Sequence, residues 1–200
     1  MHNRPSFRHC SFWIMVFYAF STLPAISQLH RWTQSNDGLS NLRVTCLATM
    51  TNGVVLTGTD NGVFFSSNGG VSWDPRSSGL NYTIITSIGT NLRNRILAGT
   101  ERRNGRYDLH AENVVSTDSG ISWQVLDIGH PGYAFITMAT KDSADIYAVT
   151  RHVDYYTFPY RYLVHSSDSG ITWETLRAIT LGASAVFKLV TSRTLEKSFC

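Results

Sequence analysis

Two spans of this sequence hold most of the side chains that could do chemistry, and each steps 16 residues, from Thr100 to Ser116 and from Thr150 to Ser166. The first contains Glu101, Arg102, Arg103, Arg106, Tyr107, Asp108, His110 and Glu112. The second contains Arg151, His152, Asp154, Tyr155, Tyr156, Phe158, Tyr160, Arg161 and Tyr162. Arginine brings a planar fork of donors and tyrosine a flat apolar face with a polar tip, a combination suited to sugars, carboxylates or peptides. The candidate ligand-binding residues are therefore Arg102, Arg106, Tyr107, Arg151, Tyr155, Tyr156, Tyr160 and Arg161, with Tyr156 and Tyr160 foremost. The same composition also serves a scaffold in which aromatic rings cover strand edges and arginines pair with local acids. Glu101, Asp108, Glu112 and Asp154 could act as acids or bases, but the sequence opposes no two of them, so the catalytic residues are unassigned. His152 and Asp154 are two metal ligands without a third, whereas structural zinc takes four. No metal and no cofactor is expected. Asp37-Gly38 and Asp60-Asn61-Gly62 read as turns, because they lack the ligand series of a calcium loop.

What must position these spans is a phrase of eight residues that occurs three times. It runs Ser66-Ser67-Asn68-Gly69-Gly70-Val71-Ser72-Trp73, then Ser116-Thr117-Asp118-Ser119-Gly120-Ile121-Ser122-Trp123, then Ser166-Ser167-Asp168-Ser169-Gly170-Ile171-Thr172-Trp173, with starts 50 residues apart. A fixed period of that size marks a repeat architecture. Each position suits a tight turn between strands. Asn68, Asp118 and Asp168 can accept from backbone N–H groups just ahead. Gly70, Gly120 and Gly170 can take the positive φ such a turn needs. The tryptophan then starts the outgoing strand and lies across the hairpin, burying a large apolar area.

The pattern Ser-x-Asp-x-Gly-x-Thr-Trp resembles the Asp-box, or BNR repeat, of sialidase-like β-propellers, with Asn68 standing for the usual aspartate in the first copy. Families carrying this box include sialidases, two-propeller xyloglucanases, sortilin-type receptors, photosystem II assembly factors and secreted bacterial propellers. The resemblance implies a blade of four strands, A to D, and says nothing by itself of activity. Sialidase-like chemistry would need an arginine triad, a tyrosine nucleophile and acidic partners; this sequence has no Phe-Arg-Ile-Pro motif and the triad does not map onto it.

Short β-rich runs separated by Gly and Asn turns fill the repeat. In the first, A is expected at Val44 to Thr49, B at Val54 to Thr57, C at Val63 to Ser66 and D around Trp73. The second has Thr83 to Ile88, Arg95 to Ala98, Asn113 to Ser116 and D around Trp123; the third has Phe135 to Ala139, Ile146 to Val149, Tyr162 to His165 and D around Trp173. Trp32 marks a lone D strand at one end, and Ala185 to Val190 another A strand at the other. The expected fold is all-β, a partial β-propeller of about three four-stranded blades, roughly 42–79, 80–130 and 131–180, with single strands at each end and a further blade begun at 181–200. Propellers close with about four to eight blades. A truncated product, a fragment or an arc needing a partner is the expectation, with self-association through open blade edges as one outcome. Strand parity puts the A-to-B and C-to-D turns on one face and the B-to-C and D-to-A loops on the other. The two 16-residue spans are B-to-C loops of adjacent blades and should stand side by side.

Residues 1–27 have the form of a signal peptide: His2, Arg4, Arg8 and His9, an apolar run from Phe12 to Phe20, and Ala25-Ile26-Ser27 at the cleavage point. The expected location is extracellular or periplasmic, with no membrane span left after cleavage. Cys10 would leave with the peptide, and Cys46 and Cys200 are no disulfide framework. The net charge is +3; without Arg4 and Arg8 the 17 basic residues become 15 against 14 acidic ones. That balance excludes the clustered basic face of a nucleic-acid binder. Asn81-Tyr82-Thr83 is a glycosylation sequon, with meaning only in a eukaryotic secretory pathway.

These readings converge on a secreted, non-catalytic propeller segment that binds glycan or protein through the face carrying the 101–115 and 151–165 loops. A fragment of a sialidase-like or xyloglucanase-like glycoside hydrolase is the alternative, and an assembly-factor or receptor-type propeller is a third.

Overall fold

Apolar and β-branched residues in short alternating runs, cut by Gly and Asn turns, give strands and nothing else among the described residues. The computed structural model describes residues 33–105, 108–154 and 160–180. The leader at 1–27, Trp32, Ala185 to Val190 and Cys200 lie outside the described residues, as do Arg106, Tyr107, Tyr155 and Tyr156. All that follows belongs to the unit that begins at Gln34.

The first sheet holds β1 (Val44–Thr49), β2 (Val55–Thr59), β3 (Gly62–Ser66) and β4 (Asp74–Pro75). The second holds β5 (Ile84–Thr90), β6 (Ile96–Asn104), β7 (Asp108–Ser116) and β8 (Gln124–Leu126). The third holds β9 (Tyr133–Thr140), β10 (Ile146–His152), β11 (Tyr160–Ser166) and β12 (Glu174–Thr180). Each sheet is an antiparallel meander in chain order. The molecule is a partial β-propeller of three four-stranded blades. No helix among the described residues is long and apolar enough to cross a membrane.

The core lies between the blades. Leu56 and Val63 of the first sheet meet Ile85, Ile88, Ile96, Ala98, Val114 and Trp123 of the second. At the next seam Leu97, Val115 and Leu126 meet Phe135, Ile146, Ala148 and Val164. Burying a side chain of this kind contributes about 1.5–3 kcal/mol, so each seam is held mainly by apolar contact. Polar groups stitch the inner strands: Thr86 Oγ1 and Ser87 Oγ both donate to the Phe135 carbonyl (2.6 and 2.8 Å). Gly99 lies so close to Phe135 that a Cβ there would run into its backbone.

The repeated phrase folds as a clip between the third and fourth strands of each sheet. In the second copy, Ser116 Oγ donates to Asp118 Oδ1 and accepts from Gly120 N–H (both 2.8 Å), while Asp118 accepts from Ser122 N–H (2.9 Å) and Ser122 Oγ (2.6 Å). Ser166, Asp168, Gly170 and Thr172 repeat this geometry. In the first copy Ser66 and Gly70 keep their places, and Asn68 Oδ1 accepts from Ser72 N–H (3.0 Å) while Asn68 Nδ2 donates to Ser72 Oγ (2.8 Å). One amide thus supplies an acceptor and a donor where the carboxylate supplies two acceptors.

The structure extends two of these readings and corrects a third. The rings of Trp73 and Trp123 come up to Gly70 and Gly120 of their own clips, and Trp123 also packs in the seam toward the first sheet, where its Nε1 donates to the Arg76 carbonyl (2.8 Å). Trp73 does the same to the Ser35 carbonyl (3.0 Å). The fourth strand of the first sheet is only Asp74–Pro75, and the bond from Arg76 N–H to the Val63 carbonyl (2.7 Å) carries the contact one step further. Finally, the 101–115 span is not a loop: β6 and β7 stay paired out to Asn104 and Asp108. The polar strand ends pair through backbone bonds that need no apolar alternation.

Candidate functional site

Antiparallel order in all three sheets puts the far ends of β6/β7 and β10/β11 on one face, opposite the clips. The 127–132 segment between β8 and β9 opens on the same face. The two insertions do stand side by side. Glu101 of the first, 1% exposed, accepts from Arg151 of the second (2.7 Å) and from its own neighbour Arg103 (2.5 Å). Glu101 and Arg151 lie 50 residues apart, at equivalent places in adjacent blades.

Four of the predicted residues, Arg102, Arg151, Tyr160 and Arg161, are among those described. Arg102 is half-exposed, pairs with Asp108 (2.8 Å) and lies over the Tyr82 ring (5.5 Å). Asp108 also meets His110 Nε2 (3.0 Å), and Arg102 and His110 hold its carboxyl below the usual range against the opposing effect of burial. Arg161 stands directly across the β10/β11 ladder from Arg151. Burial first, and then the Arg151 charge, lower its pKa. Tyr160 opens β11 and is 48% exposed. Arg106, Tyr107, Tyr155 and Tyr156 are outside the described residues. His152 Nδ1 accepts from Asp154 N–H (3.1 Å), so these two close a local turn. Among the described residues no group of three or more His, Cys, Asp or Glu is placed to hold a metal ion.

The structure adds His130 and Tyr133, which the sequence reading did not single out, and joins them to His152 and Tyr162. His130 stacks on Tyr162 with ring centroids 3.9 Å apart, Tyr133 packs on Tyr162 (5.1 Å), and His152 meets Tyr133 edge-on (4.9 Å). Four rings from the 127–132 segment, β9, β10 and β11 thus form one cluster. His130 Nε2 also bonds Thr175 Oγ1 (2.7 Å). Burial pushes the Tyr133 hydroxyl up to about 12, with Tyr162 adding to the shift, and burial lowers the His130 imidazole below its ordinary value. Both groups are therefore neutral at pH 7. Parity already assigned the D-to-A segments to this face, so Gly129-His130-Pro131-Gly132-Tyr133, with its turn residues flanking two rings, was the available signal.

His130 and Tyr133 also wall a cavity of about 510 Å³. Its other sides are Glu112 and Asn113 of β7, Val125 and Leu126 of β8, and the 127–132 segment. Asn113 is buried and ties this wall to β9: its Nδ2 donates to the Tyr133 carbonyl and its Oδ1 accepts from Phe135 N–H (both 2.8 Å). A concave site with apolar walls and a few fixed polar groups is the usual form of a ligand pocket.

The fold and this face define a class, the β-propeller, presenting strand ends and inter-strand segments as its surface. No protein-family model matches the sequence, and no curated protein matches it. Among solved structures, the extracellular domain of a candidate hybrid two-component system from B. thetaiotaomicron, a β-propeller, is similar with a TM-score of 0.51 and 15% identity, over 69% of this chain and 17% of that one. A structure of YCF48 bound to D1 peptide is similar with a TM-score of 0.48 and 15% identity, over 66% and 39%. The GH74 xyloglucanase from Xanthomonas campestris gives 0.46 and 15%, over 62% and 19%. The matched region spans well under half of each of these proteins.

Proposed function

We propose that the chain is a run of Asp-box propeller blades, exported behind the 1–27 leader, whose task is to bind a protein or glycan ligand. The blades are those bounded at about 42–79, 80–130 and 131–180, and the binding face is the one carrying the 101–115 and 151–165 insertions. The repeated clip supports the Asp-box assignment, with Ser66, Asn68, Gly70 and Trp73 and their counterparts as its working residues. The observation that carries the function is the cluster of His130, Tyr133, His152 and Tyr162 beside a cavity of about 510 Å³. Flat rings on a rigid sheet edge give contact area at little cost in side-chain entropy. Two of the nearby acids are taken up in ion pairs: Glu101 lies between Arg103 and Arg151, and Asp108 between Arg102 and His110. A glycosidase needs one carboxyl poised as an acid and a second group opposed to it across the bond.

The test is adsorption of the secreted chain to panels of glycans and extracellular proteins. Tyr160→Ala and His130→Ala should each weaken the ligand found by about tenfold or more, as loss of an aromatic anchor does. Ile121→Ser, on the opposite clip face, should leave it unchanged. Binding untouched by both face variants would remove the site, and reducing sugar released by the wild type but not by Glu112→Gln would make the chain part of a hydrolase.

A further inference from the structure

We infer that His165 is a protonation-controlled latch on the outer edge of the third sheet. As an imidazolium it bridges Asp145, in the turn before β10, and Glu174, at the start of β12. Without its proton it can donate to only one of them, and the start of β12 loosens.

Both ring nitrogens of His165 face carboxylates: Nδ1 lies 2.9 Å from Glu174 Oε1 and Nε2 lies 3.1 Å from Asp145 Oδ1. Only the charged ring has two N–H donors, so a neutral ring must turn a lone pair toward one of the two acids. The side chain is 14% exposed, and the Tyr147 ring stacks on it (4.5 Å). The turn and β12 carry three other charged groups: Lys141, 3.8 Å from Asp145; Asp142, which accepts from Ala144 and Asp145 N–H; and Arg177, across from Leu163. Arg151 and Arg161 belong to the far ends of β10 and β11. Glu174 first, and then Asp145, raise the imidazole above its ordinary value against the opposing effect of burial.

The two arms of the bridge are unequal. The turn that carries Asp145 is fixed without His165, because Ser169 N–H and Oγ donate to the carbonyls of Ala144 (2.9 Å) and Ser143 (2.8 Å). Glu174 is 68% exposed, and among the described residues its ion pair is with His165. Thr175 beside it bonds His130 (2.7 Å), a ring that is neutral at pH 7 and holds β12 without a charge. Glu174 is therefore the arm that gives way.

The repeat shows that this arrangement belongs to the third blade. His165, Asp145 and Glu174 correspond to Val115, Arg95 and Gln124 in the second and to Phe65, Val54 and Asp74 in the first. Phe65 and Val115 pack into the seams toward the following sheet, so neither clip nor ladder requires a histidine at this place. The outer strand differs too: β12 runs seven residues where β4 has two and β8 has three. A long exposed edge is what the latch holds.

A charged form favoured by folding stabilises fully below the unfolded value near 6.5, and its contribution is lost as pH rises through the folded value above it. The experiment follows the His165 ring proton by NMR across pH. It also measures exchange protection of the amides at 174–177 at about pH 6 and pH 8.5, corrected for intrinsic rate. His165 should titrate above the ordinary histidine value. Protection should fall about twofold to fivefold over that range, as loss of a partly exposed ion pair gives. His165→Val, the residue of the second blade, should abolish the fall, with a cooperative urea transition showing that the fold survives. If that variant does not fold, Glu174→Gln keeps the ring and should both lower its titration and flatten the fall. A His165 titration at or below the ordinary value, or an equal fall in wild type and variant, overturns the inference.

Discussion

At the scale of single residues, the three clips compare a charged and a neutral solution of the same turn. Bonds from Ser122 and Ser116 hold the Asp118 carboxyl at about 2, and Asp168 is lowered in the same way by Thr172, Ser166 and Ile171 against the effect of burial. A carboxyl depressed by folding stabilises the fold fully above its unfolded value near 4, and that contribution is lost as pH falls toward 2. Asp118→Asn should therefore flatten the fall in urea midpoint between about pH 4 and pH 2 while leaving the fold intact, as Asn68 does in the first clip. A steeper fall would contradict this. The tryptophans are also unequal. Trp123 Nε1 donates to the Arg76 carbonyl, whereas Trp173 Nε1 is buried without a partner. Trp123→Phe should cost about 1 kcal/mol more than Trp173→Phe in denaturant unfolding, the usual net value of one hydrogen bond plus part of its orphaned acceptor. The Asx and Gly roles in the clip were legible, because that turn is closed by local bonds; the part of Ser116 Oγ, which accepts from Gly120 N–H, was not read. The partner of the Trp123 indole N–H was not legible, because that carbonyl lies 47 residues back.

At the scale of elements, strands with a buried face were placed well from sequence. β1 occupies Val44–Thr49 as its alternation predicts. The outer halves of β6 and β7 were missed because Glu101–Asn104 and Asp108–Ala111 carry charges and little apolar pattern. Asn104-Gly105, a strong hairpin dipeptide, was the cue that could have found them. The same missed pairing explains why the candidate site was only half legible: Arg102 and Arg151 are in ion pairs, and the exposed aromatic content came partly from the unsuspected 127–132 segment. Close packing of elements gives a sharper test. Gly99→Ala would drive a Cβ into the Phe135 backbone and the Thr86 hydroxyl, atoms that cannot swing aside. It should cost about 2–3 kcal/mol or prevent folding, while Gly105→Ala, with a φ of 73° and open space around it, should cost about 1 kcal/mol. Similar midpoints for the two variants would show that the seam is looser than described.

At the scale of the whole molecule, cooperation between blades runs through a few cross-seam groups. Glu101 is the most buried of the charged ones, and it joins the second sheet to the third through Arg151. Glu101→Gln leaves Arg103 and Arg151 facing each other beside Arg161. The loss should be about 2 kcal/mol or more, below the value for a fully buried pair because the arginines are partly exposed. A double-mutant cycle with Arg151→Met should recover part of it; simple additivity of the two losses would show that the bridge is not coupled across the seam.

Each of the first two sheets is also fastened at its rim to the segment before it, where Gly38 and Gly79 tuck against the backbones of Trp73 and Trp123 and the backbone N–H groups of those tryptophans donate to the carbonyls of Asp37 (2.8 Å) and Ser78 (3.1 Å). A Cβ at Gly129, the equivalent position before the third sheet, would meet nothing within 4 Å. The 127–132 segment is held by other means: Ile128 is buried in the second seam, His130 meets Thr175 and Tyr162, and the Gly132 carbonyl accepts from Val153 N–H (3.1 Å). Its amides should exchange with deuterium faster than those of 77–80, and an occupant of the cavity they border should slow them.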